Sequence, residues 1–520
     1  MSKVMKFTLR VFISLVLVLG LFTAIMPTPA RALSGVNGTA PWTFDTTTNT
    51  LTIQAGTLAP RIPWNSNAFA GVISNQIQTV VIEPGVIAPA DMSNFFGWWT
   101  SLTEIQGGYN LDVSNVTNMQ SMLIGATSLT TIDVSNWDVS NVLNMNATFA
   151  NTPSLAALDV SNWDTSSATN LSSMFSSASS LTTIDVSNWD TSNVTSLHNM
   201  FGWATSLTTL DVSNWATSNV TDMSHMFNGT WSLASLDLSG WDVSNVWNMS
   251  WMFAWTSSSP LTTLDLGNWD TSNVVTMSGM FYNTSLHTIL GINNWDISNV
   301  VDMWDMSFMF TNSYYLTTLD LSNWDMSNTW DTTWMFLGVN SLQELRLGPS
   351  FNFNAPWNWD TAQLPEANSF APSPSIYTGY WINLDTGWVG TAQELMAIYD
   401  GTTMAGCFTW QRHDGVYTFC QTTYEITYIG NSPRPELTVV NVPGSESHNS
   451  GTIVQISNTI PQLLGFRFTG WRNISTGQVL QPGATITLNG NITLEAQWVV
   501  DNTTIDPPIV ITPPNSGKRI

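Results

Sequence analysis

Carboxylates are the first candidates for chemistry in this chain. Nineteen aspartates and no glutamate fall between residues 111 and 343, and no lysine or arginine occurs between Arg61 and Arg346. Eight of the aspartates recur at one place in a repeat, at 112, 133, 159, 185, 211, 237, 265 and 320, with Gly291 in the remaining place. Seven more directly follow a recurring tryptophan, at 138, 164, 190, 242, 270, 296 and 325, with Ala216 as the exception. Paired carboxylates can hydrolyse glycosides as acid and nucleophile or base. A catalytic pair departs from its surroundings, however, and these acids are the repeat itself, so the chain is not read as an enzyme. Rows of carboxylates about 5 Å apart repel by about 0.8 kcal/mol per neighbour in bulk water and about 3 kcal/mol at an effective dielectric of 20. Hydrogen bonds from neighbouring Ser, Thr and backbone N–H groups would offset that, as in turns where Asp accepts from its own backbone. So would Ca²⁺, which takes six to eight oxygens. Both remain open here, with Asp185, Asp211 and Asp237 as the central candidates.

Tryptophan offers the other binding chemistry. It recurs at 137, 163, 189, 215, 241, 269, 295 and 324, and this set is expected to be core. A second group occupies variable positions: 98, 99, 203, 231, 247, 251, 255, 304, 330 and 334. If exposed, these form an aromatic strip able to stack on sugar rings or anchor a protein; if packed on one another, they fill space. Trp203, Trp231, Trp251, Trp255, Trp304 and Trp334 are the ligand-binding candidates. The five histidines (198, 225, 287, 413, 448) are scattered. No Cys/His metal set or phosphate-cradling glycine loop occurs, so neither a catalytic residue nor a cofactor is expected, and no metal beyond Ca²⁺ along the Asp rows.

These residues must be positioned by the repeat. Residues 181–201 read LTTIDVSNWDTSNVTSLHNMF, and 207–227 read LTTLDVSNWATSNVTDMSHMF, a period of 26 with small insertions. Leu207, Leu210 and Val212 suit a short strand, and Val220, Met223 and Met226-Phe227 at three-residue steps suit a turn or two of α or 3₁₀ helix, with Ser218 and Asn219 as caps. One strand and one helical piece cannot bury both apolar faces alone, whereas stacked coils can. The expected fold is an α/β or β-rich solenoid of leucine-rich-repeat type, nine turns across 102–350, with an N-terminal β cap and small C-terminal β domains.

The motif L-T-T-[LI]-D-[VL]-S-N-W-D-x-S-N-V-x-x-M-x-x-M-F resembles the repeat of BspA-like leucine-rich-repeat surface proteins of bacteria. Residues 35–58 resemble that family's N-terminal cap, and 377–410 the module after its repeats. The resemblance implies a secreted or cell-surface adhesion role. Gly465-Phe466-Arg467-Phe468-Thr469-Gly470-Trp471 and Ile492 to Trp498 resemble the Listeria–Bacteroides repeat related to internalin B-repeats, which implies a β-grasp-like spacer. The domain reading is then signal peptide 1–32, cap 33–101, solenoid 102–350, post-repeat module 351–422, β-grasp-like module 423–499 and a Pro-rich tail 500–520. The signal peptide rests on a basic start, an apolar run Val11–Met26 and Ala30-Arg31-Ala32, with cleavage between Ala32 and Leu33. That run is short for the ~20 residues a membrane span needs, and no other stretch is a candidate span. Cys407 and Cys420 flank FTWQRHDGVYTF, read as a hairpin closed by a disulfide. Pro514-Asn515-Ser516-Gly517 resembles the L-P-x-T-G sorting signal with Leu and Thr replaced.

Twelve Lys plus Arg stand against 36 acids, a formal charge of −24. That sign repels phosphate backbones and excludes nucleic acid. The expected protein is a bacterial surface or secreted monomer that binds an extracellular partner, either a basic or matrix protein or a glycan. A passive wall spacer is the alternative and a polysaccharide-active enzyme the least favoured.

Overall fold

The computed structural model describes residues 32–60, 69, 71–301, 306–356, 360–366, 376–415, 417, 423–434, 437–449, 453–474, 476–488 and 491–501. Signal residues 1–31, Trp304, Cys420 and the tail from 502 lie outside the described residues. The chain divides into two units, Met1–Val416 and Tyr417–Ile520.

The first unit is a β-solenoid with about 26 residues per coil and little helix. It has about eleven coils rather than the nine expected. The extra ones lie at the N-terminal end, where strand Thr50–Ile53 pairs in parallel with Thr79–Ile82, and that strand with Glu104–Gln106. These coils lack the Trp-Asp motif, so only their apolar alternation (Leu51, Ile53, Val80, Ile82, all buried) marks them. Formal strands persist at both ends of the array. In its middle the same column thins to the single bridge Thr183↔Thr209, while a second column of single parallel bridges runs from Asp91 through Asn118, Asn144, Asn170, Ser196, Asp222 and Asn248 to Thr276.

The expected helical piece is not helical. In the coil at Val220–Gly229, alternate backbone N–H groups donate to the next coil: Met223 to Asn248 (3.0 Å), His225 to Ser250 (2.9 Å) and Phe227 to Met252 (2.9 Å). The residues between them close three-residue turns, such as Asn228 N–H to the His225 carbonyl at 3.0 Å. Two residues per coil, four apart, take left-handed backbone, here His225 (φ 58°) and Gly229 (φ 70°). A chain that turns every third residue buries every third side chain, which in sequence imitates a helix. Asn219 is no cap either, since its Nδ2 donates to the Ser192 carbonyl of the previous coil at 2.7 Å. Equivalent bonds from Asn193, Asn245 and Asn273 explain the invariant Asn of the motif.

The core is a set of columns. Successive repeat tryptophans stack nearly parallel, Trp189 on Trp215 at 6.4 Å and 1°, and Trp215 on Trp241 at 6.5 Å and 2°. Each indole N–H donates to a carbonyl one coil back, Trp215 to Val186 at 3.0 Å and Trp241 to Val212 at 3.0 Å, so the buried rings leave no polar atom unpaired. Phe201, Phe227 and Phe253 form a second stack at 6.2 and 5.7 Å. Antiparallel strands cover both ends of the coil sheet. At one end Ala32–Asn37 and Ala40–Asp45 fold back onto Thr50–Ile53. At the other, Gly406–Arg412 pairs with the last coil strand, Glu344–Leu347, on one edge and with Tyr377–Asn383 on the other.

The second unit holds a five-stranded sheet in which Thr423–Ile429 pairs in parallel with Ile492–Val500, and the latter antiparallel with Phe466–Asn473. Its own core includes Ile426, Tyr428, Trp471, Leu494 and Ala496. Among the described residues no helix is long and apolar enough to cross a membrane.

Candidate binding surface

The aspartate rows are corner brackets. Asp185 Oδ1 accepts the Ser187 N–H at 3.1 Å and its hydroxyl at 2.7 Å; Asp211 does the same with Ser213 and Asp237 with Ser239. The acid after each tryptophan repeats the device, as Asp190 with the Ser192 N–H at 2.9 Å. A third corner follows at Asp222, which accepts from the N–H and hydroxyl of Ser224 at 2.9 and 2.6 Å. The Ser239 N–H and hydroxyl hold the Asp237 carboxyl below the usual carboxylate range. Hydrogen bonding within the coil is therefore what offsets the repulsion along the rows. Among the described residues no three His, Cys, Asp or Glu side chains come together as a metal site. Asp185, Asp211 and Asp237 line a shallow groove of about 730 Å³ on the strand face, with Thr183, Thr209 and Ser235.

The variable tryptophans separate by position. Trp99 is core, packed on Phe69 and Phe96. Trp98 stands exposed in an early coil, and Trp247 and Trp330 are exposed as well. Four of the six candidates form one patch with Tyr282. Trp203 meets Trp231 at 6.0 Å edge-on and Trp255 at 6.5 Å; Tyr282 joins Trp255 (4.9 Å) and Trp251 (5.3 Å). Trp203, Trp231 and Trp255 are 39, 44 and 38% exposed, high for ring systems of this size. Trp334 meets Phe308 at 5.5 Å, which lies 6.2 Å from Trp251, and its indole N–H is bound to Asp360. Trp304 lies outside the described residues.

Three of the four patch tryptophans share an unusual backbone. Trp203, Trp251 and Trp255 occupy the left-handed positions, at φ 61°, 60° and 59°. Several other coils place Asn or Gly there (Asn151, Asn283, Asn312, Gly125, Gly229, Gly338), the residues that tolerate such backbone, while others place Ser121, Ala147, Ser173 or Phe308 there. A bulky ring at positive φ costs about 1–2 kcal/mol. Its bed in the next coil is glycine: a Cβ on Gly229 would sit 2.9 Å from the Trp203 ring, and one on Gly279 2.7 Å from the Trp251 ring. Each of these rings thus lies flat on the coil that follows. His225 stacks on Trp251 at 6.4 Å and touches His198, and burial and that neighbour push its imidazole below the ordinary value. The recurring Gly and Asn at matched places in the repeat were the available signal for left-handed backbone.

Of the other site residues, Ala32 and Leu33 open the first strand, Ala32–Asn37. Cys407 is buried on Gly406–Arg412, opposite Arg346, and its expected partner Cys420 lies outside the described residues. At Cys407 one edge of the strand is taken by Glu344–Leu347, and from Phe408 onward the other by Tyr377–Asn383.

The sequence model of the family described as "Mycoplasma protein of unknown function, DUF285" matches residues 90–207, 180–260 and 254–370, together more than half of the chain. Comparison with curated proteins gives no match. Solved structures similar to this chain include a leucine-rich repeat protein from Eubacterium ventriosum, 14% identical, covering 66% of this chain and 99% of that one, TM-score 0.30. A leucine-rich repeat protein from Bacteroides ovatus is 12% identical over 65% of this chain and 90% of its own, TM-score 0.31. A leucine rich cell surface protein from Faecalibacterium prausnitzii is 14% identical over 64% and 95%, TM-score 0.23.

Proposed function

Since the chain belongs to the family described as "Mycoplasma protein of unknown function, DUF285", whose description assigns no activity, we propose from its surface that it is an exported, non-enzymatic adhesin-like protein that holds an extracellular partner on its repeat array. The observation that carries this is the continuous patch of the solvent-facing rings Trp203, Trp231 and Trp255, joined by the half-buried Tyr282 and spread over successive coils of one scaffold. Exposed aromatic area of this kind is characteristic of binding sites. The acids support a scaffolding role, because Asp185, Asp211 and Asp237 each accept from the serine two residues on and hold a corner of their own coil.

The basic, apolar start of the chain supports export, and an oxidising compartment would then bridge Cys407 to Cys420. Reduction should add two hydrogens to the intact mass. The second unit, with its likeness to the internalin-related repeat, serves as a spacer between the array and the cell, and the protein acts as a monomer. The experiment is an array of immobilised extracellular proteins and glycans probed with the full chain and with Trp231→Ala. Binding to a defined spot that the variant loses supports the proposal. A full chain that binds nothing would leave the passive spacer in its place.

A further inference from the structure

The patch narrows the partner further, resting on the reading above that it is a binding site. We propose that Trp203, Trp231, Trp251, Trp255 and Tyr282 form a stacking platform for a neutral polysaccharide laid along the coils.

Three observations converge on that occupant. The ring of Trp203 is backed on one side by Gly229 and so is held flat, a geometry that presents a π-face rather than a pocket. The C–H face of a pyranose stacks on such a surface, and neighbouring parallel coils, about 4.8 Å apart, repeat on the scale of one sugar in a chain. Trp203, Trp251 and Trp255 also sit in left-handed backbone that glycine would occupy at lower cost. Strain of this kind is found where function requires a particular side chain.

Charge selects among the polymers. The four stretches that carry the patch, 199–205, 225–231, 251–257 and 279–285, contain no Asp, Glu, Lys or Arg. An anionic polymer finds no cation between Arg61 and Arg346 to pair with, and the aspartate rows repel it. A basic protein would be drawn to those rows, which lie at other positions of each coil, rather than to the rings. What borders the platform is neutral: Asn199, whose amide donates to Ser176 at 2.9 Å, and the Tyr282 hydroxyl, 3.4 Å from the Asn312 amide. Hydroxyls and amides of this sort meet the equatorial hydroxyls of a neutral glycan.

The test is native affinity electrophoresis of the full chain through gels containing amylose, mannan, xylan or laminarin, with polygalacturonate as the anionic arm. Surface-immobilised lysozyme serves as the basic-protein arm. At least one neutral polymer should retard the protein, with less than a twofold change between low and high salt because no ion pair is involved. Trp231→Ala, on ordinary backbone, and Trp203→Gly, the residue other coils use there, should each weaken the binding about tenfold or more. Trp247→Ala, equally exposed but off the patch, should leave it unchanged, and melting curves confirm that each variant is folded. Retention by lysozyme alone, lost in Trp231→Ala, would overturn the glycan while leaving the binding patch in place. Binding of any probe that is indifferent to Trp231→Ala, or no binding at all, would overturn both.

Discussion

At the scale of single residues, tryptophan does two jobs that the sequence separates only in part. The period of 26 identified the column of Trp189, Trp215 and Trp241 as core, because a large side chain at an invariant place among alternating apolar residues has one use. The variable set could not be sorted that way, since Trp99, Trp203 and Trp247 all sit outside the motif, yet one is core, one is in the patch and one stands alone. What distinguishes Trp203 is its φ of 61°. Ordinarily Gly is less stable than Ala by about 0.5–1 kcal/mol within regular structure. At residue 203 the order should invert, with Trp203→Gly about 1 kcal/mol more stable than Trp203→Ala, because alanine keeps the left-handed cost. Paired denaturant titrations check this, and alanine as the more stable of the two would contradict the strained geometry.

At the scale of the element, the coil is built from corners rather than from strand and helix. The strand half of the expectation holds where Leu207, Leu210 and Val212 turn inward. The helical half failed because Val220, Met223 and Met226 recur every third residue for a different reason, a turn closed after each. Three aspartate or asparagine brackets per coil shape those corners, and their carboxylates bear on pH. The Ser N–H and hydroxyl groups depress Asp164, Asp237 and Asp270 in the folded state. Their contribution is present above the unfolded carboxylate value of about 3.9 and is lost as pH falls through the folded value. The melting temperature should therefore drop as the solution is acidified below about pH 4. Asp237→Asn keeps an oxygen to accept the Ser239 N–H and should show a shallower acid limb, whereas Asp237→Ala should melt lower at every pH. Scanning calorimetry across that range decides it, and identical profiles for all three proteins would contradict the bracket role.

At the scale of the whole molecule, a parallel array leaves two open edges, and the chain covers both in its first unit. The hairpin Ala32–Asp45 covers Thr50–Ile53, and Gly406–Arg412 covers Glu344–Leu347. The two N-terminal coils were not legible because the Trp-Asp motif is missing from them, and the interior place of the Cys407 strand could not be read from local pattern. Edge strands without cover pair with other chains. Removing Ala32–Asp45 should therefore turn a monomer into higher oligomers, as light scattering would report; a hairpin-less chain that stays monomeric would contradict the capping role.

The most direct test of the whole account is fluorine NMR of the full chain labelled with 5-fluorotryptophan, its resonances assigned by single substitutions. Trp203, Trp231 and Trp255 are predicted to shift between H₂O and D₂O and to broaden with a soluble nitroxide, while Trp189, Trp215 and Trp241 do neither. A patch as protected as the column, or a column as accessible as the patch, would contradict the division between the tryptophans that build the solenoid and those that face a partner.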